Sequence, residues 1–220
     1  MRTVVSLTLA SLILISFKPI GTSSVLAKDG EVKALSAKKV TFLGVNFSKF
    51  KLVNQMGFID KNGRTKCKAL SFKYFESWND VFLTESGKSN MNNLLRVEKA
   101  KVSLKKSLEL NTEIDTEGCL IEDGQYSISK SDIQDVVDDY DLELEGISVL
   151  MVAESISKKL EYGVYYIVYF DSERNILYSR KYQGEPSGGG FDNYWVNTIF
   201  DSLEKHAKSV KKERKSLGID

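Results

Sequence analysis

The densest hydrophobic pattern lies in three β-rich runs in the second half of the chain, Ile147 to Ile156, Val164 to Phe170 and Ile176 to Tyr182. The last two flank Asp171-Ser172-Glu173-Arg174-Asn175, a polar turn of hairpin length, so they are predicted to pair antiparallel. Along the central run Val164, Tyr166, Val168 and Phe170 alternate with Tyr165, Ile167 and Tyr169, leaving neither face polar. A strand of that kind is expected to be covered on both sides. In the next run Tyr178, Arg180 and Tyr182 share a face with Ile176, opposite Leu177, Ser179 and Lys181.

Helical spacing appears on either side of these runs. Trp195, Ile199, Leu203, His206 and Val210 fall on one face of a predicted terminal helix. Ser129 and Asp132 have capping-box spacing, followed by a stripe of Ile133, Val136, Val137 and Tyr140. Leu70, Tyr74, Trp78 and Phe82 recur every four positions and predict another helix, with a further helical piece near Asn92 to Val97. Val40 to Val45 reads as a first strand, and Asp60-Lys61-Asn62-Gly63 has turn chemistry. Leu104, Leu108, Leu110 and Ile114 settle on no single period, and alternation from Ser107 to Ile114 favours a strand. These elements predict an α+β fold: an antiparallel meander of about three C-terminal strands plus an N-terminal strand, packed against helices that include a C-terminal amphipathic one.

The first 27 residues differ from the rest. Arg2 precedes an apolar stretch from Val4 to Phe17, and Val25-Leu26-Ala27 has the small residues that suit signal peptidase, so cleavage after Ala27 is expected. Lys18-Pro19 ends the apolar run well short of the ~20 residues a bilayer core needs. Cys67 and Cys119 lie far downstream, so no cysteine follows the cleavage point to take a lipid anchor. The expected layout is a signal peptide at 1–27, a flexible leader at 28–39, a single domain at 40–210 and a basic tail at 211–220. Localisation is expected to be periplasmic or secreted, with no transmembrane segment after cleavage.

Composition narrows the function classes. Removing the signal takes Arg2 and Lys18 from 31 basic residues and nothing from 30 acidic ones, which leaves a net charge of −1. No steering toward nucleic acid follows from such a balance. In an oxidising compartment Cys67 and Cys119 could pair, and the sequence leaves a disulfide and two free thiols equally open. No metal site and no cofactor are expected: neither cysteine has a ligand neighbour at zinc spacing, and His206 is the one imidazole.

Candidate chemistry is sparse. Gly184 to Gly190 joins a strand to a helix, where backbone amides and the helix dipole can hold an anion. The ligand-binding residues assigned on this basis are Gly188, Gly189, Gly190, Asn193, Tyr194 and Trp195, although the segment lacks the lysine of a nucleotide-binding loop and also reads as a sharp turn. From Ser131 to Ser157 there is no basic residue, while Asp132, Asp135, Asp138, Asp139, Asp141, Glu143, Glu145 and Glu154 accumulate. That stretch suggests a solvated face first, with calcium binding or paired-carboxylate hydrolysis as alternatives. No catalytic residue is assigned, and the enzyme question leans to the negative.

The segments Gly146 to Ser155, Val164 to Asp171 and Gly184 to Trp195, with Val45-Asn46-Phe47-Ser48-Lys49 and Trp78-Asn79 upstream, resemble a family of uncharacterised exported proteins of Gram-negative bacteria. The resemblance implies a periplasmic or secreted α+β domain without an assigned reaction. Asp192 stands where the resemblance leads one to expect an arginine, which weakens anion binding at the Gly-rich turn. The function expected is therefore that of a non-enzymatic envelope or secreted protein binding an unknown partner or ligand through the sheet edge or that turn.

Overall fold

The computed structural model describes residues 22–54, 67, 70–114, 116, 118–121, 125–141, 143 and 145–219. The apolar part of the expected signal and the Asp60 to Gly63 turn lie outside them. Helix α1 (Thr22–Leu35) is followed by strands β1 (Lys39–Asn46) and β2 (Lys51–Val53). A π-helical turn at Leu70–Tyr74 leads into α2 (Phe75–Asp80), a 3₁₀ turn (Val81–Leu83) and α3 (Glu85–Leu94). Then come β3 (Lys99–Val102), α4 (Lys105–Thr112), β4 (Leu120–Ile121) and α5 (Lys130–Asp138). The chain closes with β5 (Ile147–Ser157), β6 (Tyr162–Phe170), β7 (Ile176–Gly184) and the long α6 (Phe191–Leu217). Among the described residues no helix is long and apolar enough to cross a membrane.

All seven strands form one sheet whose axis is β5. On one side β1 and β2 lie end to end along it, both parallel, with β3 and β4 parallel to them on the outer edge. On the other side β6 and β7 run antiparallel to their neighbours. The expected fold class is thus corrected: five strands are mutually parallel, and the architecture is α/β-like, not an antiparallel meander with helices. The reason is strand length. Of the parallel flank, β2, β3 and β4 have three, four and two residues, too short to print a period on the sequence, and their pairing is set by β1 and β5.

Alternation along the central strands sends side chains into two cores. Phe42, Val149, Met151, Ala153, Tyr165, Ile167 and Tyr169 meet Trp78 and Phe82 and, on α6, Trp195, Ile199 and Leu203. On the opposite face Leu43, Leu150, Val152, Val168 and Phe170 meet Ile133, Val136, Val137 and Tyr140 of α5. Ser129 caps α5 through the reciprocal bonds with Asp132 that the sequence predicts. Helix α6 approaches the sheet closely because Gly163 and Gly184 stand opposite each other in register, and a Cβ on Gly184 would overlap the Thr198 carbonyl.

Three local expectations change. Ser107 to Ile114 favoured a strand, yet α4 occupies most of that stretch, because the residues it buries are Ser107 and Asn111, whose polarity hides the helical period. The helical piece placed at 92–97 ends at Leu94, where Arg96 takes a positive φ of 55° before β3 begins. Ile176 leaves the face of Tyr178 and Tyr182 and joins the α5 core, because the β6–β7 register shifts between Tyr169 and Phe170. At the N-terminus, residues 28–35 continue α1, with Ala34 and Leu35 each 1% exposed. Glu31 pairs with Arg180, and the Arg214 side chain donates to the Leu35 carbonyl. The basic residues after Val210 form the last turns of α6, which ends at Leu217 with Gly218 left-handed behind it.

Candidate functional site

The end of β1 shows how polar side chains support this sheet. Gly44 has a φ of 92°, and β1 bulges against β5 between Phe42 and Val45. The backbone freed by the bulge is taken up by two buried amides. Asn79 accepts from the Val45 amide at 2.7 Å and donates to its carbonyl at 3.1 Å. Asn111 accepts from the Phe47 amide at 2.8 Å and donates to the same Val45 carbonyl at 2.8 Å. Ser107 bridges the Leu43 carbonyl and the Tyr140 hydroxyl. Every one of these groups is committed to holding the strand, so this polar cluster is structural. The same applies to Asn111 where it lines a groove of about 340 Å³ between the π-helical turn and α4.

At the other end of β1 and β3 the side chains are not committed. A groove of about 310 Å³ is lined by Lys39, Val40, Thr41, Lys99, Lys101, Glu145 and Gly146. Parallel register sets Lys39 beside Lys99 and Thr41 beside both Lys101 and Ser148. Val40 and Phe42 belong to the α6-side core, so Lys39, Thr41, Lys99 and Lys101 project from the opposite face, the one that α5 covers farther along. Adjacent strands are ~4.8 Å apart and alternate residues ~6.6 Å, which places the three lysine stems within one small patch. All three lysines are exposed and none has an ion-pair partner among the described residues. Behind them Ser148 is fully buried and its hydroxyl has no hydrogen-bond partner among the described residues.

Like charges set opposite one another on adjacent strands are destabilising, and an unmatched buried hydroxyl costs more still. Lysine on an edge strand also discourages strand addition, and here the amide of Ala100 is already bound to the Asn92 side chain at 2.7 Å. That cap takes one of the outward amides that a β-strand partner would use. A ligand in this groove would therefore be read by side chains: three ammonium donors and the Thr41 hydroxyl suit carboxylate, sulfate or phosphate oxygens and outnumber the one opposing carboxylate, Glu145.

The residues assigned from sequence are distributed otherwise. Gly188, Gly189 and Gly190 are exposed and form the turn into α6, with positive φ at Gly188 and Gly190. Asn193 is exposed beside them, the Tyr194 hydroxyl donates to Glu161 at 2.9 Å, and Trp195 is a core residue. Neither groove is lined by any of the six. Cys67 and Cys119 are joined in a buried disulfide, with their Cα atoms 6.2 Å apart.

The acidic stretch divides. Asp132 caps α5 and pairs with Lys49, and its hydrogen bonds from Ser129 hold its carboxyl below the usual range. Asp141 pairs with Lys106 at 3.1 Å, which lowers the one pKa and raises the other. Glu154, buried at a β5 bulge, receives Lys181 at 2.8 Å and the Ile128 amide at 3.0 Å, and so ties the segment before α5 to the sheet. Among the described residues no three His, Cys, Asp or Glu side chains are grouped to hold a metal ion. His206 is buried between Tyr169 (2.9 Å) and Tyr182 (3.2 Å), and burial lowers its pKa to about 3.

Sequence reasoning missed the lysine groove. Its one local signal is the alternation of Lys99-Ala100-Lys101-Val102, with Lys39 supplied by a strand some sixty residues earlier. No family model, no curated protein and no solved structure matches the chain.

Proposed function

We propose that this chain is an exported, non-enzymatic binding protein that takes an anionic polymer of the envelope or extracellular space into the lysine groove of β1 and β3. The observation that carries the reading is the set of three exposed lysines, without an ion-pair partner among the described residues, on adjacent strands around one groove. Export rests on the N-terminal signal pattern, and the Cys67–Cys119 disulfide supports it, since such bonds persist outside the reducing cytosol. The reading places the ligand at the sheet edge and not at the Gly-rich turn, whose Tyr194 and Trp195 have structural partners.

Each lysine near an anionic surface contributes about 1 kcal/mol, so the three together are worth on the order of 100-fold in affinity. Titration of the purified protein with a polyuronate at low ionic strength is expected to give saturable binding that weakens with added salt. Replacing Lys39, Lys99 and Lys101 together by glutamine should remove most of it, while Gly189→Ala leaves it unchanged. Equal binding by the triple variant sinks the groove assignment. Tighter binding of single-stranded DNA than of polyuronate would overturn the ligand class.

A further inference from the structure

A second electrostatic anomaly lies on the same face of the sheet. Helix α5 has no basic residue in its last turn, yet Asp135 and Asp138 fall within it and Asp139 caps it. A helix C-terminus carries partial negative charge and favours cations, so these acids oppose the dipole. Glu143 and Glu145 extend the acidic ridge beyond the helix, and Glu145 forms a wall of the lysine groove. Partners are few: Asp135 reaches Lys49 and Asp141 reaches Lys106, whereas Asp139, Glu143 and Glu145 have no ion pair among the described residues. The same face thus carries a groove whose three lysines have no ion pair among the described residues and, starting at Glu145 in its wall, an acidic ridge that is only partly paired.

We infer that the occupant of the groove in the absence of polymer is the acidic ridge of a second copy of this chain. A two-fold axis between the patches sets each ridge against the other copy's groove, the self-complementary arrangement that an isologous dimer requires. Both penalties are relieved at once, and the near-zero net charge of the chain presents no global repulsion to prevent approach. The inference shares the groove with the ligand reading and gives it a control: polymer binding and self-association exclude each other, so the polyanion releases the monomer.

Sedimentation velocity of the purified protein tests this. Dimer is expected at low salt, giving way to monomer as screening is raised, with at least a tenfold weakening. Lys39→Glu with Lys99→Glu and Lys101→Glu should be monomeric at low salt, and so should Asp138→Lys with Asp139→Lys and Glu143→Lys. Mixing the two charge-reversed proteins should restore a one-to-one dimer, a result that misfolding of either cannot produce. A wild type that stays monomeric at low salt, or two folded reversed variants that fail to associate, overturns the inference. Polyuronate binding by a strictly monomeric protein would do so while leaving the ligand reading intact; dimer without polyuronate binding would do the reverse.

Discussion

The two flanks of β5 are stabilised by different chemistry. On the antiparallel flank β6 and β7 present Tyr165, Ile167, Tyr169 and Tyr178 to α6, and apolar burial dominates; its main buried ionisable group is His206. On the parallel flank the strands are short, one is bulged, and buried amides and hydroxyls from Asn79, Asn111 and Ser107 take up the backbone groups that the bulge leaves over. The difference shows where a binding face can be placed. Helix α6, 27 residues long, covers one face of the antiparallel flank, whereas on the other face of the sheet the parallel flank leaves the first residues of β1 and β3 uncovered around a groove.

The largest effect should come from acid on the antiparallel flank. His206 has a folded pKa of about 3 against an ordinary 6.5, so between those values the unfolded chain binds a proton that the native state does not. Stability is therefore full above pH ~6.5 and falls as the pH drops toward 3, by a total of about 4 to 5 kcal/mol. The groups facing the imidazole are Tyr169 on β6, Tyr182 and Tyr178 on β7, and Arg214 on α6, whose positive charge acts in the same direction. Carboxylates with lowered pKa, such as Asp132 and Asp201, also lose stabilisation in acid, and they are common to wild type and variant. Urea unfolding of wild type and His206→Gln from pH 4 to 7 should thus differ in slope by up to ~1.4 kcal/mol per pH unit. Parallel pH profiles would show that the histidine is not the acid-sensitive element of this flank.

The same contrast explains what the sequence conveys. Tyr165 to Phe170 and the Trp195 to Val210 stripe were legible because apolar side chains repeat over enough residues to reveal a period. Helix α4 was not, because Ser107 and Asn111 are its inward residues. Nor were β2 to β4, whose identity as strands exists only in their pairing with β1 and β5. The site follows the same rule. Lys39 and Lys99 become neighbours only through parallel pairing, a non-local fact, while the Gly-rich segment, legible from its local pattern, is an exposed turn that lines neither groove.

An intermediate effect is expected on the parallel flank. Removing the Asn111 side chain takes the acceptor from the amide of the fully buried Phe47 and one of two side-chain donors from the Val45 carbonyl, which keeps Asn79. Asn111→Ala should cost about 2 to 3 kcal/mol, the penalty of an unmatched buried amide plus lost packing. Hydrogen exchange should show the loss concentrated in β1 and β2, with β6 and β7 changed less. Uniform loss across all strands would mean that the flanks unfold as one unit.

The smallest effect has the opposite sign and bears most directly on function. If Lys39 and Lys99 are held side by side for a ligand, their repulsion is a cost carried by the free protein. Lys99→Gln should then raise stability by a few tenths of a kcal/mol at low ionic strength, an increment on the scale of cross-strand charge pairs, and the gain should vanish as salt screens the pair. The same substitution should weaken polyuronate binding about fivefold. Stability gained and affinity lost at one residue would mark the parallel flank as the place where binding takes precedence over stability. Stability lost on neutralising Lys99 would show that the lysines are already balanced within the fold and that the groove is not arranged around an anion.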